Sequence, residues 1–227
     1  MVLPWVPPIR VQLTPPAEAL LTFAASCAAV PFSAHPPGRI DSPPPLWYVN
    51  DHEEAIGQGR AEFVRAGDAL RRLDCLQLDW LRATVQGDVL AICSRQFGVL
   101  WLMNANRLLP KAASDASGTD CVAMCWGTST RHVREPAHDP SREPAHDPSR
   151  ALVRSGRPLP SRSQVLAGEE RLSVRWDRDS DTVLFRVRSY SRPRHAFGLL
   201  GYPVVRLQQR RFARDAAQAM RRACTEG

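Results

Sequence analysis

Lysine is all but missing from this chain of 227 residues: of 30 basic side chains only Lys111 is a lysine. So lopsided a ratio reads as coding bias, and it discounts the net charge of +7 as a sign of nucleic-acid binding. Residues 150–227 hold 17 Arg against 7 acids, but no basic patch there is interleaved with aromatics, so a solvated basic face is expected. Cysteine is sparse, 6 residues at irregular spacing, which excludes a disulfide miniprotein and fits a reduced compartment. The uncharged stretch from Ala19 to Ala34 is short for a membrane span. No nucleophile elbow, phosphate-cradling glycine loop or dinucleotide fingerprint occurs, so no cofactor is implied.

Proline is also missing from most of the chain, and its placement maps the organisation. Of 20 Pro, eleven fall in the first 45 residues and six between 136 and 160. Proline fixes φ and removes a backbone donor, so packed elements avoid it. The ordered core is therefore expected at 46–133 and 165–224, within a single domain over 13–224 that follows a flexible stretch at 1–12. Arg134-Glu-Pro-Ala-His-Asp-Pro-Ser141 recurs unchanged as Arg142 to Ser149. Two Pro-rich octapeptides offer almost nothing to bury, so a solvated, disordered insert is expected at about 134–162. Deleting residues 134–149 should shift the melting temperature by no more than about two degrees, because loop-closure entropy varies slowly with length. Collapse of the fold on deletion would mean that the segment packs.

The N-terminal segment could be read as a secretory core, yet Glu18 stands directly before it and Arg10 is the only basic residue upstream. Thr14-Pro15-Pro16 suits instead a helix N-cap and first turn, so a short docked helix from Pro15 to Ala29 and a cytoplasmic location are expected. A signal or transit peptide is the alternative.

Periodicity assigns the rest. Phe63, Ala66, Leu70 and Leu73 make one face of a helix from Gly59 to Leu73. Strands are expected at Leu78–Val85, Val89–Ser94, Gly98–Met103 and Cys121–Trp126. Leu172, Val174 and Trp176, then Val183, Phe185 and Val187, alternate with polar residues around the turn Asp177-Arg-Asp-Ser-Asp181, which predicts a hairpin. Past Pro203 a long helix carries Phe212, Ala213, Ala216, Met220 and Cys224 on one stripe, with Arg211 and Asp215 paired on the polar side.

Leu166-Ala-Gly-Glu-Glu170, Tyr190-Ser-Arg-Pro193, Leu200-Gly-Tyr-Pro203 and Gln209-Arg-Arg-Phe-Ala-Arg-Asp215 resemble uncharacterised protein family 0548, a domain-of-unknown-function family. Gly57-Gln-Gly59 and Asn104-Ala-Asn-Arg107 are similar to its pattern too. The chain departs from it where Trp126-Gly-Thr128 and His132 stand apart from Gly168, with the octapeptides between. The resemblance implies organisation but no activity.

The element order predicts an α+β fold, an antiparallel β-sheet with a long C-terminal helix across it, and resembles the START-like helix-grip arrangement. A closed β-barrel with flanking helices is the alternative. Metal binding is not indicated: Cys121 and Cys125 with His132 lack zinc spacing and read as core thiols, and Asp177, Asp179 and Asp181 lack the glycine and glutamate of a calcium loop. Two functions of different class follow. A carrier would hold a small apolar ligand between sheet and helix, against Phe185, Ala216 and Met220. An enzyme would draw on Glu170, which shares strand parity with Leu172 and so points inward, with Arg107 or His132 as its partner.

Overall fold

The computed structural model describes residues 17–28, 38–96, 100–109, 121–128, 166–193 and 196–225. The octapeptide insert, the N-terminal stretch and His132 lie outside them. Helix α1 (Ala17–Ser26) is followed by β1 (Tyr48–Gln58), α2 (Gly59–Arg71) and a single 3-10 turn at Asp74–Leu76. Strands β2 (Leu81–Gln86), β3 (Val89–Gln96), β4 (Leu100–Leu108), β5 (Cys121–Thr128), β6 (Leu166–Asp177) and β7 (Thr182–Pro193) precede α3 (Ala196–Thr225).

The seven strands form one antiparallel sheet in the order β1-β7-β6-β5-β4-β3-β2. β1 and β2 are its edges, so the sheet is open, against the barrel alternative. Strand alternation gives it two apolar faces. One carries Leu172, Val174, Val183, Phe185 and Val187, and it buries them against the stripe Phe212, Ala213, Ala216, Ala217 and Met220 of α3 and against Ala66, Ala69 and Leu70 of α2. The helix-across-sheet arrangement expected from the sequence is therefore the fold.

The opposite face is covered twice. Over β3 and β4, Val89, Ala91, Cys93, Trp101 and Ala105 meet Leu20, Phe23, Ala24 and Cys27 of the α1 region. Over β6 and β7, residues 38–47 dock: Ile40 is buried, Trp47 meets Tyr190 edge to face at 5.4 Å, and Arg171 holds Asp41. The prolines at 43–45 thus belong to a packed strap, and the folded part begins before residue 46. Cys121 and Cys125 share a face as expected, but it is this outer one, and both are half-buried rather than core thiols.

Three boundaries differ from the sequence reading. α3 begins at Ala196 and carries Pro203 within it. β4 runs on to Leu108, past the expected end at Met103. β1 is a polar strand that periodicity did not assign, stabilised along the sheet edge by Arg186 and Arg188 on Asp51 and by Arg175 on Glu53. A charged edge also resists pairing with another chain. The β1–α2 junction explains Gly57-Gln-Gly59. Gly59 has φ +77 and donates to the Asp181 carbonyl at 2.9 Å, and Glu62 reaches back to accept from the Gln58 amide at 2.8 Å.

Candidate functional site

Between α3 and the far half of the sheet the apolar contact opens into a cavity of about 310 Å³. Its walls are aromatic and aliphatic: Trp80, Trp126, Phe212, Leu76, Ile92 and Val205. Strand parity adds the polar groups. Trp126 pairs with Glu170, Glu170 with Ser189, and Asn106 with Thr128, so Asn104, Asn106, Thr128, Glu170 and Ser189 all project from the same sheet face. Gln208 and Gln209 close the space from α3.

The pair Glu169-Glu170 splits across the sheet. Glu169 faces the strap, where its carboxylate accepts from the backbone N–H groups of Gly38 and Arg39 at 2.9 and 3.0 Å. Glu170 faces the cavity, and no described residue hydrogen-bonds its side chain. Burial alone pushes its carboxyl up to about 7. Gly168, two residues before, is where β6 and β7 come closest. A Cβ there would stand 1.9 Å from the Tyr190 carbonyl oxygen and 2.9 Å from the Ser191 Cα, both backbone atoms that cannot step aside. Thr128 fixes the other side of this glycine, accepting from its N–H at 3.0 Å. The run Gly-Glu-Glu is thus a close strand approach followed by one carboxylate for each face.

On α3, Gln209 donates from Nε2 to Ser191 Oγ at 3.4 Å, while its Oε1 is buried with no hydrogen-bond partner. Near the same helix, Trp80 donates from its indole N–H to Asp215 at 2.8 Å, and the Arg211 guanidinium lies over the Trp80 ring at 4.6 Å. The Arg211–Asp215 pair anticipated from the sequence therefore also anchors one aromatic wall.

The residues expected at the site divide. Glu170 lines the cavity. Phe185, Ala216 and Met220 do not: each is fully buried in the continuous core beside it, because α3 closes directly on β6 and β7 there. Arg107 lies on the opposite sheet face, since it shares parity with Glu169 rather than Glu170, and its guanidinium goes to Asp88 and to the Ala28 carbonyl. His132 is outside the described residues. Asn104, Asn106, Ser189 and Gln209 went unassigned by sequence reasoning. The alternation Asn104-Ala-Asn106, and the place of Ser189 two residues beyond Val187, are the signals that could have found them. Among the described residues no group of three His, Cys, Asp or Glu could hold a metal ion.

Because Ala216 sits in closed core, Ala216→Leu should overpack it, lowering stability by about 1–3 kcal/mol while leaving ligand affinity unchanged. Denaturation and binding measured on the same variant check this. Weakened binding at full stability would put Ala216 in the cavity wall.

Residues 163–219 match the domain of unknown function DUF1990. A UPF0548 protein of Arabidopsis thaliana is 41% identical over 56 residues, 25% of this chain and 27% of that protein. A UPF0548 protein of Dictyostelium discoideum is 25% identical over 181 residues, 74% of this chain and 68% of the relative. This chain is similar to the UPF0548 proteins, most strongly over a quarter of its length. Among solved structures, human STARD10 is 13% identical, with 94% of this chain and 81% of that one covered, at a TM-score of 0.39. The DUF1990 match takes in β6, β7 and most of α3, the elements that supply Glu170, Ser189, Gln209 and Phe212 to the cavity. No helix among the described residues is long and apolar enough to cross a membrane.

Proposed function

We propose that this protein binds a small organic molecule in the cavity between α3 and the sheet. The observation that carries this reading is the cavity itself: about 310 Å³, walled by three aromatic rings, with a few polar side chains converging from β4, β6, β7 and α3. A site of that size lies at the lower end of the range for small-molecule pockets, and its mix of apolar wall and sparse polar groups is what such pockets use for affinity and orientation. The ligand therefore has an apolar body and at least one polar end, rather than being wholly apolar. The enzyme reading has less support, since Arg107 turns to the α1 side of the sheet and leaves Glu170 without that partner.

The test uses the neutral fluorophore N-phenylnaphthylamine and the variant Val205→Trp, which would fill the cavity from a half-buried position on α3. Saturable binding at one site in the parent chain, weakened about tenfold or more in the variant at an unchanged melting temperature, is expected. Equal binding by both proteins would place the probe elsewhere and overturn the reading.

A further inference from the structure

We propose that the ligand carries a positively charged nitrogen, a primary ammonium, which Glu170 receives while Trp126, Trp80 and Phe212 hold an apolar body. This rests on the cavity being the binding site and deepens that reading. The argument starts from supply. The chain has 29 arginines, and its acids find them readily: Asp41 holds Arg171, Asp51 holds Arg186 and Arg188, Glu54 holds Arg221, and Asp215 holds Arg211. Glu170 holds none. Among the described residues, no Arg, Lys or His lines the cavity. A half-buried carboxyl facing an apolar cavity, with neither a counter-charge nor a hydrogen-bond donor among the described residues, is a ready partner for a cation that a ligand brings.

A second acceptor points the same way. Gln209 Oε1 lines the same cavity, is buried and accepts from nothing. An ammonium brings three N–H donors and no acceptor, so one group can serve the carboxylate, the amide oxygen and one hydroxyl or amide oxygen of Ser189, Asn104 or Asn106. An anionic ligand would meet an acidic side chain with no compensating base. The aromatic rings add to the preference, because their faces attract a cation in a desolvated site.

The groups that face Glu170 leave it as the titrating element in the neutral range. From β5 comes Trp126, from β7 Ser189, from α3 Gln209 and Phe212, and from the 3-10 turn Cys75. The Cys75 thiol is pushed up to about 12 by burial and stays neutral. Asp215 is held by Trp80 and Arg211, and Glu169 by the backbone of the strap on the other face. A cationic ligand should therefore bind more tightly as Glu170 ionises.

The experiment compares naphthylmethylamine with its neutral counterpart naphthylmethanol, each titrated against the full chain by displacement of N-phenylnaphthylamine. The amine should bind about tenfold or more tightly than the alcohol at pH 8, as a charge-assisted hydrogen bond in a partly buried site allows. Its advantage should shrink as pH falls from about 8 to about 5.5, a range in which an alkylamine stays protonated. Glu170→Gln should remove the advantage, bringing the ratio of amine to alcohol affinity to about one. The pH series needs no variant, so it decides even if the substitution disturbs folding. Alcohol binding as tightly as amine at pH 8 would overturn the ammonium inference and leave the cavity standing. Failure of both to displace the fluorophore, or fluorophore binding untouched by Val205→Trp, would overturn the cavity reading with it.

Discussion

Replacing Phe185 by Ala is expected to lower stability by about 3–5 kcal/mol. Phe185 is wholly buried, pairs with Val174 across β6 and β7, and lies in the continuous core with Ala216 and Met220 of α3. Three features make the site unable to collapse. Its sheet neighbours Val174, Val183 and Val187 are β-branched and stiff, the helix stripe buried with them includes the small Ala213, Ala216 and Ala217, and the strand register is fixed over twelve residue pairs. Phe212, the one aromatic residue on the stripe that the sequence assigns to α3, makes a weaker case. It is 9% exposed and one side of its ring faces the cavity, so truncation enlarges an existing space. Urea denaturation of both variants checks the order. A smaller loss for Phe185→Ala than for Phe212→Ala would mean that α3 does not seat on this part of the sheet.

That reversal marks where the sequence could be read and where it could not. The β6–β7 hairpin was legible because period-2 alternation and an Asp-rich turn coincide, and the turn forms as expected, with the Asp179 amide donating to Asp177 at 3.1 Å. The α3 stripe was legible because its alanines and Met220 recur at helical spacing. β1 was not, since Tyr48–Gln58 is an edge strand whose polar side chains are satisfied by arginines more than 100 residues away. The site was half legible. Parity put Glu170 on the correct face, but parity says nothing about how far along α3 the helix leaves the sheet, and that distance decides that Gln209 lines a cavity while Ala216 fills a core. Arg107 failed for the same reason that Glu170 succeeded: one residue of register sends a side chain to the other face.

Glu170→Gln is expected to stabilise the protein at alkaline pH and to do nothing in acid. Burial raises the Glu170 carboxyl from its ordinary value of about 4.5 to about 7. Below about pH 4.5 folded and unfolded chains both hold the proton, and this group contributes no pH dependence. Between there and about 7 the unfolded chain releases its proton first, so stability falls as pH rises. Above about 7 both states are ionised, and the deficit levels at about 3–4 kcal/mol, close to 1.4 kcal/mol for each unit of displacement. Glutamine keeps the shape and cannot ionise, so the variant should match the parent near pH 4 and exceed it by that margin at pH 8. Chemical denaturation at a series of pH values measures the difference directly. A constant offset across the range would mean that Glu170 is solvated in the folded state, and the unpaired carboxyl would go with it. The expected curve also bears on function. A carboxyl that destabilises the fold at neutral pH, one strand residue from a glutamate fully held by backbone amides, is a group kept for something other than folding. The same substitution that raises stability should lower affinity for a cationic ligand, and only a binding role for Glu170 makes those two effects opposite in sign.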